Sequence, residues 1–125
     1  MSKILSQFHF SLLFIEGRSL ESSESLHDEV SFKLGLPSDY GRDWEDLLDC
    51  LSSIGSKTEN LCRHWDWVTG KRLVLSIRNF KSDEADPATL AAFLQVVADA
   101  NDRLKKYESL NGVWVEFIST APAVS

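Results

Sequence analysis

The sequence predicts a small α/β protein in which a parallel three-stranded sheet packs against helices. Two observations support this fold class. The predicted elements follow in the order strand, helix, helix, strand, helix, strand, and the connections between strands contain the helices that parallel pairing requires. The chain of 125 residues is also long enough for one domain with its own core. We therefore expect a single domain over residues 1–125.

Three apolar segments predict the strands. In the first, Phe8, Phe10, Leu12 and Phe14 alternate while Leu13 and Ile15 fill the second face, which predicts burial on both faces toward the end of the strand. Residues 73–77 and 113–118 predict the other two strands. The apolar run after Lys3 loosely matches a signal peptide. Polar residues interrupt that run and no small-residue cleavage site follows it, so we interpret it as a strand.

Capping residues and apolar stripes predict the three helices. Ser22 or Ser23 starts the first helix and Gly35 ends it. Asp43 caps the second helix, and the Asp86–Pro87 pair starts the third. The predicted buried side chains are Leu26, Val30 and Leu34 on the first helix, Leu47, Leu48, Leu51 and Ile54 on the second, and Leu90, Phe93, Leu94, Val97 and Leu104 on the third.

Composition and charge exclude several classes of function. The chain has 13 basic and 19 acidic residues, a net charge of −6, which argues against nucleic acid as a direct partner. No uncharged apolar run approaches the length of about 20 residues that crosses a membrane. The two cysteines, Cys50 and Cys62, are too few for a disulfide framework, so we expect a cytoplasmic location. With His64 they fall short of the four ligands of a structural zinc site, and we expect no metal or cofactor.

The sequence does not favour an enzyme. It contains neither a phosphate-binding loop nor a nucleophile-elbow motif. A Ser/His/Asp arrangement stays open, because such triads are defined by geometry. We expect His9 to lie within the first strand and His27 on the solvent side of the first helix, and we assign no catalytic residue.

The second predicted helix and the loop before it form the most acidic part of the chain. Between Asp39 and Asp49 there are five acids and one base, Arg42. Asp43 and Asp46 suit the helix N-terminus, where the helix dipole favours negative charge. Glu45 and Asp49 are like-charged i, i+4 neighbours, which costs an isolated helix about 0.2–0.5 kcal/mol. This pair suits a cationic partner, provided that no cation of the same molecule neutralises it; a solvated acidic face is the alternative.

These residues also carry a family resemblance. The chain resembles the barstar family of ribonuclease inhibitors from about residue 12 to residue 119. The resemblance depends on two linked motifs and their spacing, which comprise Leu34, Leu36, Pro37, Tyr40 and Gly41, followed by Leu47, Asp49, Cys50 and Leu51. The predicted order of elements agrees with that fold.

The resemblance implies an inhibitor that blocks the RNA-binding cleft of a ribonuclease or ribonuclease-type toxin, as in immunity or self-protection. It places Asp49 as the mimic of a substrate phosphate, Glu45 as its acidic companion and Asp99 as an acid on the third helix. The further implied contacts are Asp39, Tyr40, Gly41, Asp43, Trp44 and Leu48. An interaction module of the same fold that binds another basic protein, such as a non-ribonuclease toxin, is the alternative. We expect a free monomer with no membrane partner.

The chain departs from the family pattern at several positions. Asp39 stands where the family has an aromatic residue, and Leu48 stands where it has a tryptophan. Residues 1–7 form an extension, residues 52–70 form an inserted loop, and residues 121–125 are expected to be a frayed tail. The inserted loop carries Trp65 and Trp67, two closely spaced tryptophans outside the predicted core pattern. We therefore expect this loop to add to the partner surface.

Overall fold

The computed structural model describes residues 9–118, which form one sheet and three α-helices. The strands are β1 (His9–Glu16), β2 (Lys71–Arg78) and β3 (Gly112–Ile118). They pair in the order β1-β2-β3 and all run parallel, with Glu16 opposite Arg78 and Arg72 opposite Gly112. The predicted fold class is confirmed. The extension at residues 1–7 and the tail at residues 121–125 lie outside the described residues.

Each helix begins at its predicted N-cap residue, and the first also ends at the predicted Gly35. The helices are α1 (Ser23–Leu34), α2 (Trp44–Ser52) and α3 (Pro87–Lys106). Short 3₁₀ helices occupy Gly17–Glu21 and Ser53–Gly55. The Ser22 hydroxyl accepts the backbone N–H of Ser25 at 3.1 Å, and Asp86 accepts that of Thr89 at 3.0 Å. Gly35 ends α1 with a φ of 67°, a left-handed conformation that glycine adopts without strain.

One face of the sheet forms the core and the other faces outward. Ile15, Leu73, Leu75, Ile77 and Val113 are buried on the inner face. On the outer face Phe10 is 62% exposed, and Leu12, Phe14 and Trp114 are exposed as well. The prediction that β1 is buried on both faces is therefore wrong. The outer face of β1 is exposed because the helices of the described chain pack against one face of the sheet only.

Two further burial predictions are wrong. His27 is 2% exposed, because its side chain enters the space between α1 and the loop before α2 instead of facing solvent. Leu94 is exposed, whereas Val96 and Ala100 are buried. The buried apolar face of α3 is therefore rotated about the helix axis relative to the predicted face. Phe93, Val97 and Leu104 are nevertheless buried as predicted.

A helix that crosses a bilayer needs about 20 predominantly apolar residues. None of the helices within residues 9–118 combines the necessary length with sufficient apolar content.

Candidate partner-binding site

The N-terminus of α2 fixes the geometry of the acidic segment. The Asp43 side chain caps the helix by accepting the backbone N–H of Asp46 at 2.7 Å. The Asp46 carboxylate in turn accepts the backbone N–H of Gly41. These two acids satisfy backbone donors near the positive end of the helix dipole. Their charge therefore has a structural explanation.

The loop before α2, residues 35–43, is held by contacts to α1. The ring of His27 and the hydroxyl of Tyr40 share a hydrogen bond of 2.5 Å, and the ring of Trp44 lies against His27 with centroids 4.5 Å apart. Arg42 pairs with Asp28 of α1. Burial lowers the pKa of His27 and raises the pKa of Tyr40, so both rings are kept neutral. These contacts hold the loop in one conformation without a bound partner.

The two faces of α2 differ in chemistry. Leu47, Cys50 and Leu51 point into the core, whereas Glu45 and Asp49 are exposed one turn apart on the opposite side. We call Glu45 and Asp49 the acidic ridge. Neither carboxylate caps a helix or satisfies a backbone donor within residues 9–118. The ridge therefore lacks the structural explanation that accounts for Asp43 and Asp46.

A cation from α3 contacts one member of the acidic ridge. Nη1 of Arg103 donates to Oδ1 of Asp49 at 2.7 Å. The expectation that both ridge carboxylates lack an internal cation is wrong for Asp49. It holds for Glu45, which has no ion-pair partner in the described part of the chain. The Arg103 and Asp49 side chains are 41% and 56% exposed, so the pair contributes about 0–1 kcal/mol and leaves Asp49 accessible.

Helix α3 adds a further acid to the surface. Asp99 lies one turn before Arg103, on the same side of α3. Its carboxylate accepts a hydrogen bond from the Gln95 side chain at 2.9 Å. Because Arg103 reaches Asp49, this side of α3 borders the acidic ridge. Glu45 and Asp49 of α2 and Asp99 of α3 therefore lie on the neighbouring sides of two packed helices, where Arg103 contacts Asp49.

The remaining candidate contacts divide by accessibility. Asp39, Gly41 and Asp43 are exposed along the loop, and Trp44 and Leu48 are half-buried against the core. Tyr40 is 8% exposed, and its hydroxyl is already bound by His27. The Tyr40 side chain therefore holds the loop from within, and a contact of Tyr40 with a partner stays a prediction.

The segment from residue 52 to residue 70 also differs from expectation. Trp65 is 2% exposed and belongs to the core cluster, as do Ile54 and Cys62. Trp67 packs against that core, and its Nε1 donates to the carbonyl of Ile54 at 2.9 Å. Trp65 thus lies in the core and Trp67 is half-buried against it, although both lie outside the predicted core pattern; their contact with a partner stays a prediction. They fill the space beside the end of α2, which a local sequence pattern does not show.

The two thiols lie close to each other behind the ridge. The Cys62 thiol donates to the backbone carbonyl of Cys50 at 3.6 Å. Burial raises the pKa of each thiol to about 12, so both are protonated near neutral pH. His64 is exposed and contacts the Lys33 carbonyl instead. No group of His, Cys, Asp or Glu side chains between residues 9 and 118 is arranged to hold a metal ion.

Sequence reasoning missed Arg103 entirely. It is 54 residues from Asp49, and nothing in the local pattern of α3 indicates that contact. The predicted orientation of the apolar face of α3 is itself inaccurate. It therefore does not identify the side of α3 that faces α2. The resemblance pointed to Asp99 on this helix, but it gave no signal for the neighbouring cation.

Together, the parallel sheet and the exposed ridge define a small α/β protein that presents acidic side chains from a helix. A family model described as "Barstar (barnase inhibitor)" matches residues 10–116. The protein named "Putative ribonuclease inhibitor YrdF" from Bacillus subtilis (strain 168) is 32% identical over 94 residues, which cover 74% of this chain and 88% of that protein. The chain belongs to the barstar family. Members of this family are inhibitors and not enzymes, so this chain is not an enzyme.

Proposed function

We propose that this chain inhibits a ribonuclease or a ribonuclease-type toxin by occluding its active-site cleft with the acidic ridge. The observation that carries the proposal is the exposure of Glu45 and Asp49 on one side of a helix whose other side is buried. Membership in the barstar family supports ribonuclease inhibition in general terms.

The chemistry of an RNA-binding cleft explains why carboxylates suit this role. Such a cleft concentrates Arg, Lys and His groups around the phosphates of its substrate. A carboxylate on the inhibitor can occupy a phosphate position, and a partner arginine can hold it through two parallel hydrogen bonds. We assign this position to Asp49, with Glu45 and Asp99 beside it. The net charge of −6 also favours approach to a basic protein at low ionic strength.

The loop before α2 extends the proposed contact surface. Asp39, Gly41 and Asp43 are exposed on it, and Trp44 and Leu48 border it on α2. Its contacts with His27 and Asp28 hold the loop in place, so little ordering is required on binding. A stable complex of ordinary size would cover about 800 Å² of each partner. We expect the loop and the ridge together to form the centre of such a surface.

The proposal includes the setting in which the inhibitor acts. Inhibition is stoichiometric, requires no cofactor and protects the cell from a ribonuclease of its own or of a neighbour. The inhibitor acts in the cytoplasm and is a monomer until it meets its target. These statements depend on the target, which co-purification from the source cell would identify.

A second candidate is a basic toxin that is not a ribonuclease. The absence of large aromatic side chains at Asp39 and Leu48 favours it, because aromatic side chains commonly anchor protein interfaces. Co-purification followed by an RNA-cleavage assay on the captured protein separates the two candidates. A captured basic protein without RNA-cleaving activity would favour the second.

The test of the ridge uses Asp49→Ala with Asp83→Ala as its matched control. Asp83 is an exposed acid in the loop before α3, at the end of that helix far from Arg103. Both variants change the net charge equally. We expect Asp49→Ala to lose about 1.5–3 kcal/mol of binding free energy, or tenfold to over a hundredfold in Kd, because a charged hydrogen-bond acceptor is removed.

The measurement is inhibition of RNA cleavage by the captured ribonuclease, titrated with each variant. Urea denaturation should show that Asp49→Ala remains folded, since Asp49 is exposed and its ion pair is weak. Equal Kd values for wild type, Asp49→Ala and Asp83→Ala would contradict the proposed role of the ridge.

A further inference from the structure

We propose that Phe32 and the cavity beside it form a second contact site for the target, which receives a large apolar side chain of the ribonuclease. The inference rests on the proposed function and adds to it a surface outside α2 and α3. Phe32 lies on α1, and its side chain is 74% exposed. A ring that stays in water gains little from folding, so packing within the fold does not account for Phe32.

A cavity of about 330 Å³ lies between α1 and the loop before α2. Its volume is at the lower end of the range of about 300–1,000 Å³ that is usual for ligand pockets. Phe32 lines the α1 side of the cavity, and Leu36, Pro37 and Tyr40 line the loop side. Leu36 and Tyr40 are each only 8% exposed. The cavity is therefore a largely apolar groove with one exposed aromatic ring among its lining side chains.

The charged side chains of this cavity favour an apolar occupant. Asp28 and Arg42 also line it, and they pair with each other. The Tyr40 hydroxyl is already bound by His27. A charged group of the target would therefore meet only charges that are already paired among these lining residues. An apolar side chain, in contrast, gains free energy by leaving water for this groove.

The cavity adjoins the surface already proposed for the target. The loop that forms one of its walls leads directly into α2, and Asp39 and Asp43 are exposed on that loop. The contacts that join the loop to α1 hold both walls of the cavity in place. The target therefore does not have to order the groove on binding, which lowers the entropic cost of the contact.

Phe32 supplies an aromatic contact that the usual positions of the family lack. Asp39 and Leu48 stand where the family has aromatic residues, and aromatic side chains commonly dominate the binding energy of protein interfaces. Other exposed aromatic side chains within residues 9–118 lie on the strands or after α3, and they are Phe10, Phe14, Trp114, Phe117 and Tyr107. Phe32, in contrast, shares a cavity with the loop before α2.

The test measures Kd for the ribonuclease captured by co-purification, with Phe32→Ala as the variant and Phe10→Ala as its matched control. Phe10 is 62% exposed on the outer face of the sheet, which the described helices leave uncovered. Both variants remove the same kind of exposed ring, and thermal denaturation checks that each is folded. We expect Phe32→Ala to raise Kd at least about tenfold, because burial of an aromatic ring is lost. Phe10→Ala should leave Kd unchanged, and Phe32→Met, which keeps the apolar volume, should retain most of the affinity.

Salt distinguishes this contact from the acidic ridge. The ratio of Kd values for Phe32→Ala and wild type should be the same at about 0.1 M and about 1 M salt, because apolar contacts are not screened. The corresponding ratio for Asp49→Ala should fall as the salt concentration rises.

Photocrosslinking identifies the occupant of the cavity. Phe32→p-benzoylphenylalanine should crosslink to an apolar residue of the ribonuclease, located by mass spectrometry, and the same substitution of Phe10 should give no crosslink. If Asp49→Ala weakens inhibition but Phe32→Ala and Phe10→Ala have the Kd of wild type, the role of Phe32 is overturned and the proposed function stands. Crosslinks from position 32 to charged residues alone would overturn the apolar occupant. If no ribonuclease co-purifies or is inhibited, both proposals are overturned.

Discussion

Two irregular segments flank α2, and different contacts hold them. Residues 35–43, before the helix, are held by burial of Leu36 and Tyr40 and by polar contacts to α1, in which Tyr40 binds His27 and Arg42 pairs with Asp28. Residues 56–70, after the 3₁₀ turn that follows α2, are held by burial of Cys62 and Trp65 in the core. Each segment buries a large side chain, Tyr40 in the first and Trp65 in the second, but the first adds polar contacts to α1 and keeps its acids Asp39 and Asp43 exposed.

This difference suits the two segments to different roles, one in presenting side chains to a partner and the other in supporting α2. A loop held by hydrogen bonds to a neighbouring helix can have a fixed shape while most of its side chains remain exposed. A loop held by a tryptophan cannot offer that tryptophan to a partner. The second segment therefore stabilises the end of α2, and the first shapes the proposed binding surface. Three predictions test this division.

The largest effect is expected from Trp65→Ala. Truncation of a buried aromatic side chain leaves a cavity and should lower the free energy of unfolding by about 3–5 kcal/mol, measured by urea denaturation. Trp114→Ala is the matched control, because Trp114 is exposed on the outer face of the sheet and should have a much smaller effect. If Trp65→Ala fails to fold, Trp65→Phe gives a smaller loss that can be measured. A loss of target affinity in folded Trp65→Phe without a loss of stability would contradict the division.

The next effect concerns His27 and pH. Burial holds the folded-state pKa of His27 below its ordinary value of 6.5, despite opposing attraction from Asp43 and Asp28. The unfolded chain therefore binds a proton first as pH falls. The stability present above pH 6.5 should be lost progressively below it, by at most about 1.4 kcal/mol per pH unit for one proton.

Urea denaturation between pH 7.5 and about pH 5 measures this slope. The slope should be smaller in His27→Gln than in wild type. Trp114→Phe is the control, because Trp114 lies exposed on the outer face of the sheet and carries no titrating group. Identical slopes for wild type and His27→Gln would show that His27 does not hold the first segment as described.

The smallest effect is expected for the Arg42–Asp28 pair. Both side chains are largely exposed, so their coupling should be about 0.2–1 kcal/mol. A double-mutant cycle of Arg42→Ala and Asp28→Ala isolates this coupling in the free energy of unfolding. Coupling well above that range would mean that the charged pair, and not the His27–Tyr40 contact, is the main attachment of the segment.

Local signals in the sequence predicted most of the fold. Ser22, Asp43 and Asp86 cap helices as expected, because capping depends on a few neighbouring residues. The alternation in β1 identified a strand but not its covered face. Phe10 and Ile15 lie on opposite faces, and both faces carry apolar residues, so the outcome depends on where distant helices pack.

The charged residues of the candidate site were predictable from the sequence, whereas the contacts that these residues make were less predictable. Glu45 and Asp49 are exposed together because a spacing of four residues places them on one side of any helix. The Arg103–Asp49 pair depends on the packing of α2 against α3, and the burial of His27 depends on the path of the loop. Such long-range contacts produce no recognisable pattern in the sequence around either residue.

The parallel register has a consequence for the kinetics of refolding. Glu16 of β1 is opposite Arg78, 62 residues later, and Lys71 at the start of β2 is bound by Asn111, 40 residues later. Every strand pair thus requires closure of a long loop, which slows folding relative to helical domains of similar size. Helix α2 lies inside the first of these loops. In a newly made chain, the proposed binding surface shared by α2 and α3 therefore forms only after α3 has been synthesised and has docked.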